Sequence, residues 1–140
     1  NFNCLPTLQD GTKNPVADPR VRRALSMAID REAIVSRVTR LNQPVARTYI
    51  PPGVIPGYEP PVEAGVTFDP EAAKALLAEA GYPEGQGLTG LSILYNTDAG
   101  HDGPAQAIQE MWRRHLGVTV TLEPMELKAF RERLTTQRYT

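Results

Sequence analysis

The side chains able to do chemistry in this 140-residue chain are few: two histidines, one cysteine and scattered carboxylates. His101 stands in a loop with Asp98, Gly100, Asp102 and Gly103, where a solvated histidine is the plain reading. His115 lies 14 residues further on, on a helix, so the two do not form the close pair that a zinc ion needs. Cys4 is the single cysteine, which excludes an intrachain disulfide and any multi-cysteine metal site. Its plain reading is a small buried residue on a strand. Asp30 with Glu32 and Asp69 with Glu71 fall at helix starts, where acids serve as caps rather than as paired catalytic carboxylates. The chain holds no Gly-x-Ser-x-Gly, no phosphate-cradling Gly-Lys-Ser and no His-Glu-x-x-His. It reads as a binding protein, not an enzyme, with no cofactor and no metal.

The elements that position these residues are marked by local signals. Asp18-Pro19 and Asp69-Pro70 each place a capping acid before a proline, which needs no backbone N–H at the first helical position. Val21, Ala24, Leu25, Ala28 and Ile29 follow the first start as one apolar face, with Arg20, Arg22 and Arg23 toward solvent. Asp30 caps a second helix with Ile34, Val35 and Val38 as its apolar side. Ala73, Leu76, Leu77 and Ala80 form the stripe after Asp69, closed by Gly81 and Pro83. Residues 91–96 read as a strand, 104–116 as a helix and 118–122 as a second strand broken by Pro124, which makes a parallel βαβ unit. Leu127, Phe130 and Leu134 mark a last helix. Short strands are expected at 1–5 and from 137 to the end. Residues 43–67 are too rich in proline for helix or central strand. They are expected to be a surface loop pinned by Tyr49, Ile50, Val54, Ile55 and Tyr58.

The fold class is therefore α/β, a single domain over 1–140 with a small mixed sheet, one βαβ unit and about five helices. Net charge is −1, so nothing global calls for nucleic acid or anionic membrane as partner. No apolar run approaches the roughly 20 residues of a membrane span. The start at Asn-Phe-Asn-Cys, without initiator Met or secretory leader, reads as a segment of a longer chain. In an open α/β sheet, ligands sit beyond the carboxyl ends of the strands. That rule selects residues 96–103 and 124–128, with His101, Glu126 and Leu127 among them. Arg131 lies one helical turn further along. Glu126 equally suits a first-turn acid favoured by the helix dipole, and Arg131 a solvated helix face.

Four separated blocks resemble the extracytoplasmic solute-binding proteins of peptide-type ABC importers. They are Pro15 to Val35, with Arg20-Val-Arg-Arg-Ala-Leu25 and Ala28-Ile-Asp-Arg-Glu32; Pro44-Val-Ala-Arg-Thr-Tyr-Ile-Pro-Pro-Gly53; Phe68-Asp-Pro-Glu-Ala-Ala-Lys-Ala-Leu-Leu-Ala-Glu-Ala-Gly-Tyr82; and Ile93-Leu-Tyr-Asn-Thr97 followed by His101, Ile108-Gln-Glu-Met-Trp112 and Leu116-Gly-Val118. The resemblance implies a bilobed receptor of the periplasmic-binding-protein type, of which this chain is most of the second lobe. It implies that His101 occupies a cleft-facing position, and that Glu126-Leu127 replaces a Glu-Trp pair on the cleft wall, with loss of the aromatic surface. It further implies that Asn1, Asn3 and Cys4 lie on a hinge strand whose edge can pair with an extended peptide, so Asn3 joins the candidate contacts, with structural hydrogen bonding as its other reading. The implied partners are a peptide or other small solute, an ABC permease and the other lobe of the same protein. The implied location is periplasmic or otherwise extracytoplasmic, with a lipid anchor in some cell envelopes. A dimer of the segment is compatible with the surface it would expose. The family also takes up nickel complexes, haem, sugars and opines, so a non-peptide solute is the alternative. A remoter one is a helix-turn-helix nucleic-acid module built on the arginines between positions 20 and 40, which the absence of a glycine turn at 28–31 argues against.

Overall fold

The computed structural model describes residues 2–41, 43–51, 53–61 and 64–139. Helix α1 (Pro19–Met27) starts where Asp18 accepts a hydrogen bond from the Arg20 backbone N–H at 2.8 Å. Helix α3 (Pro70–Glu79) repeats the device, with Asp69 accepting from the Ala72 N–H at 2.9 Å. Between them, α2 is a short turn (Arg31–Ala33) capped by Asp30, which runs directly into a π-turn at Ile34–Val38. Helices α1 and α3 pack through Val21, Ala24, Leu25 and Ala28 on one side and Ala73 and Leu77 on the other, all buried. The Asp69 N–H donates to the Met27 carbonyl at 3.0 Å, which ties the start of α3 to the end of α1.

Strand β1 (Ser92–Asn96), helix α4 (Asp102–Leu116) and strand β2 (Thr121–Met125) form the expected parallel βαβ unit. The register pairs Ser92 with Thr121 and Asn96 with Met125. Helix α4 lays Ala105, Trp112 and Leu116 into the core, where they meet Leu25, Leu77, Leu88, Leu91, Val118 and Val120. The Trp112 indole N–H donates to the Leu25 carbonyl at 2.8 Å, satisfying the last donor-starved turn of α1 from another element. Helix α4 ends at Gly117 (φ 68°), where a β-carbon would collide with the Glu84 carbonyl oxygen. Gly85, on the facing turn, would bring one to 2.7 Å from the Leu116 carbonyl oxygen. Two backbones therefore meet here without side chains between them. Helix α5 (Leu127–Thr135) follows β2 and leans on β1 with Leu127, Phe130 and Leu134 half-buried.

Several expectations are corrected. The second strand runs 121–125, not 118–122, and contains Pro124 opposite Tyr95. Thr121 donates to the Leu91 carbonyl, so alternation turns residue 124 away from β1 and the missing N–H breaks no ladder bond. Residues 2–5 form no strand, and Cys4 is exposed rather than buried. Residues 137–139 also form no strand, and Gln137 has φ 53°. Asn1 and Thr140, with which those strands were expected to begin and end, lie outside the described residues. Val38 is exposed, not part of a buried face. Arg22 is not a plain solvent residue: its guanidinium donates to the Val16 and Ala17 carbonyls, both at 2.9 Å. The described part of 43–67 contains no helix or strand. Its expected anchors divide: Ile50 and Tyr58 are half-buried, while Tyr49, Val54 and Ile55 face solvent.

Candidate functional site

Because β1 and β2 are parallel, their carboxyl ends lie side by side, and whatever follows each strand is presented on one edge of the molecule. The Thr97 hydroxyl reaches across to the Met125 carbonyl at 3.4 Å and marks that edge. After β1 the chain makes a 3-10 turn (Thr97–Ala99) and arrives at His101, whose carbonyl accepts from the Ala105 N–H at 2.9 Å as α4 begins. The neighbouring Asp102 carboxylate is hydrogen-bonded to the phenol of Tyr95, which is buried on β1. Burial, and then that carboxylate, push the Tyr95 phenol above its ordinary value.

After β2 the chain passes straight into α5. Glu126 is the N-cap residue with extended backbone, and its carbonyl accepts from the Phe130 N–H at 2.9 Å. Its side chain makes no capping bond and is exposed. Leu127 is half-buried beside it, and Arg131 is exposed one turn on. Among the described residues, no hydrogen bond or ion pair holds the side chains of His101, Glu126 or Arg131. The structure thus places four of the five sequence-derived candidates after the carboxyl ends of the paired strands. Together they offer a neutral or cationic donor, an anion, a cation and an apolar surface. No cluster of three or more metal-ligating side chains occurs among the described residues.

Asn3 is elsewhere. It lines an open groove of about 640 Å³ with Ser92, Glu123, Arg133 and Tyr139, which none of the other four candidates touches. Its amide NH2 donates to the Gln137 carbonyl at 3.3 Å and the Tyr139 carbonyl at 2.7 Å, and its oxygen accepts from the Leu5 N–H at 3.1 Å. Both amide hydrogens are thus taken internally. The same groove contains a feature that the sequence reading missed: Arg133 bonds Glu123 at 2.6 Å, and its Nε is buried with no partner among the described residues. The two are ten residues apart on different elements, and no spacing rule links a strand residue to a helix residue at that distance. The Tyr95–Asp102 bond was also missed, for the same reason.

Residues 1–140 match the family described as bacterial extracellular solute-binding proteins, family 5, middle. The chain is 34% identical over 130 residues to the oligopeptide-binding protein OppA of Bacillus subtilis (strain 168), covering 89% of this chain and 24% of that protein. It is 40% identical over 129 residues to the periplasmic oligopeptide-binding protein OppA of Salmonella typhimurium, covering 84% and 22%. Among solved structures, the periplasmic oligopeptide-binding protein OppAIV of Borrelia burgdorferi superposes with a TM-score of 0.82 at 32% identity, covering 95% of this chain and 26% of that one. The chain therefore spans about a quarter of the length of the curated relatives it matches.

Proposed function

The chain belongs to family 5 of the bacterial extracellular solute-binding proteins, and from that premise we propose that it forms most of the second lobe of a bilobed receptor that captures peptides for an ABC importer. The observation that carries this reading is the carboxyl end of the β1–β2 pair, where His101, Glu126 and Arg131 are exposed and hold no partner among the described residues. His101 donates to the peptide carboxylate. Arg131 meets acidic groups of the ligand, and Glu126 with Leu127 lines the wall that faces its side chains. The remaining affinity comes from backbone hydrogen bonds to an extended peptide, which are indifferent to side-chain identity. The receptor performs no bond chemistry. It works outside the cytoplasm, free in a periplasm or held by a lipid anchor, and hands the peptide to a membrane permease.

One lobe holds only part of such a site, so the isolated chain binds peptide weakly or not at all. Native mass spectrometry of the full-length protein, purified without added ligand, tests the assignment. A spread of adduct masses matching short peptides supports it. A single non-peptide adduct, such as a metal complex or a sugar, keeps the receptor role and discards the peptide.

A further inference from the structure

His101 does not reach its place through its own loop alone. The π-turn Ile34–Val38, closed by the Thr39 N–H on the Ile34 carbonyl at 2.9 Å, packs against the start of α4. At that contact a β-carbon on Gly103 would stand 3.0 Å from Cγ1 of Val38. Gly103 lies in the first turn of α4, two residues after His101, and its backbone is not in the left-handed region. Alanine would therefore suit that backbone better than glycine does. The close approach of Val38 is what the glycine allows. Val38 is β-branched, so its methyls have little rotamer freedom with which to retreat. Its outer surface is open to solvent beside the His101 loop. π-turns of this kind recur at functional sites because they displace one residue out of regular helical register.

We infer that Val38 is a positioning residue for ligand binding: seated on Gly103, it sets where the first turn of α4 lies and hence where the His101 imidazole is presented. The inference rests on the peptide-receptor reading above, and it couples the ligand edge to the segment that leads into the proline-rich loop.

The test is a double-mutant cycle in the full-length receptor, with trialanine as probe and the His101 ring Cε1–H resonance as a second readout. Gly103→Ala is expected to weaken trialanine binding about tenfold and to move the His101 resonance, without lowering the melting temperature. Adding Val38→Ala removes the crowding methyl, and the double variant is expected to return to within about twofold of the affinity measured for Val38→Ala alone, with the resonance restored. A merely structural role for Gly103 would not be rescued in this way. Unchanged affinity and resonance in Gly103→Ala, or a defect that persists in the double variant, overturns the inference. If the unsubstituted receptor fails to bind trialanine, that tripeptide is not its ligand, and the His101 resonance across the same variants still decides whether Val38 positions the loop.

Discussion

The two sides of the β1–β2 pair are built to opposite rules. On the side packed by α1, α3 and α4, polar groups are answered internally. Trp112 meets the Leu25 carbonyl, Asn14 bonds the Asn3 and Leu5 carbonyls at 2.9 and 2.8 Å, and Arg31 caps the end of α1 through Ser26. At the carboxyl edge, His101, Glu126 and Arg131 point donors, acceptor and charge at water. The difference matters because a buried polar group left without its partner costs the full desolvation of that group, whereas an exposed one stays hydrogen-bonded to water. The packed side therefore holds the shape, and the edge keeps groups that a solute can engage.

The largest expected effect tests the packed side. Trp112→Ala removes a buried ring and strands the Leu25 carbonyl, and is expected to cost about 3–5 kcal/mol of unfolding free energy in a urea titration. Trp112→Phe keeps most of the volume and leaves the buried Leu25 carbonyl without its donor, at a cost of about 1–3 kcal/mol. If both variants unfolded at the same urea concentration as the parent chain, the contrast between the two sides would collapse.

A smaller effect is expected at Asp18. Removing the cap with Asp18→Ala should cost about 1 kcal/mol. The Arg20 side chain, through its hydrogen bond to the Asp18 carboxylate, holds that carboxyl below its ordinary value of 3.8. A carboxyl lowered in the folded state contributes fully above its ordinary value and loses that contribution as pH falls through the lowered one. Acid titration of stability below pH 3.8 should therefore be steeper in the parent chain than in Asp18→Asn, and parallel curves would contradict the pairing.

The smallest effects on stability belong to the edge. His101→Ala, Glu126→Ala and Arg131→Ala should each change the unfolding free energy by no more than about 0.5 kcal/mol, since no partner among the described residues is lost. In the full-length receptor the same substitutions should weaken peptide binding, with isothermal titration as the measurement. A variant that destabilised the fold as much as Trp112→Ala would move that residue from the edge to the packed side of the comparison.

What the sequence alone determined is what local chemistry controls. The caps at Asp18 and Asp69 act within three residues of themselves, so the starts of α1 and α3 are legible in the order of types. The apolar stripes of α1 and α4 repeat at helical spacing, and a strand–helix–strand succession implies parallel strands whose carboxyl ends share an edge. That was sufficient to place His101 and Glu126 on the same side. Tertiary structure decided the rest, because its causes are separated along the chain. Cys4 and Tyr49 look apolar enough to bury, yet among the described residues both are exposed. Pro124 looks like a strand breaker, yet its missing N–H happens to face away from β1. Asn3 is taken up by carbonyls more than 130 residues away, Arg133 finds Glu123 across two elements, and a methyl group of Val38 lies 3.0 Å from where a β-carbon on Gly103 would stand. Each depends on which surfaces meet after packing, and a linear order of residues carries no measure of that distance.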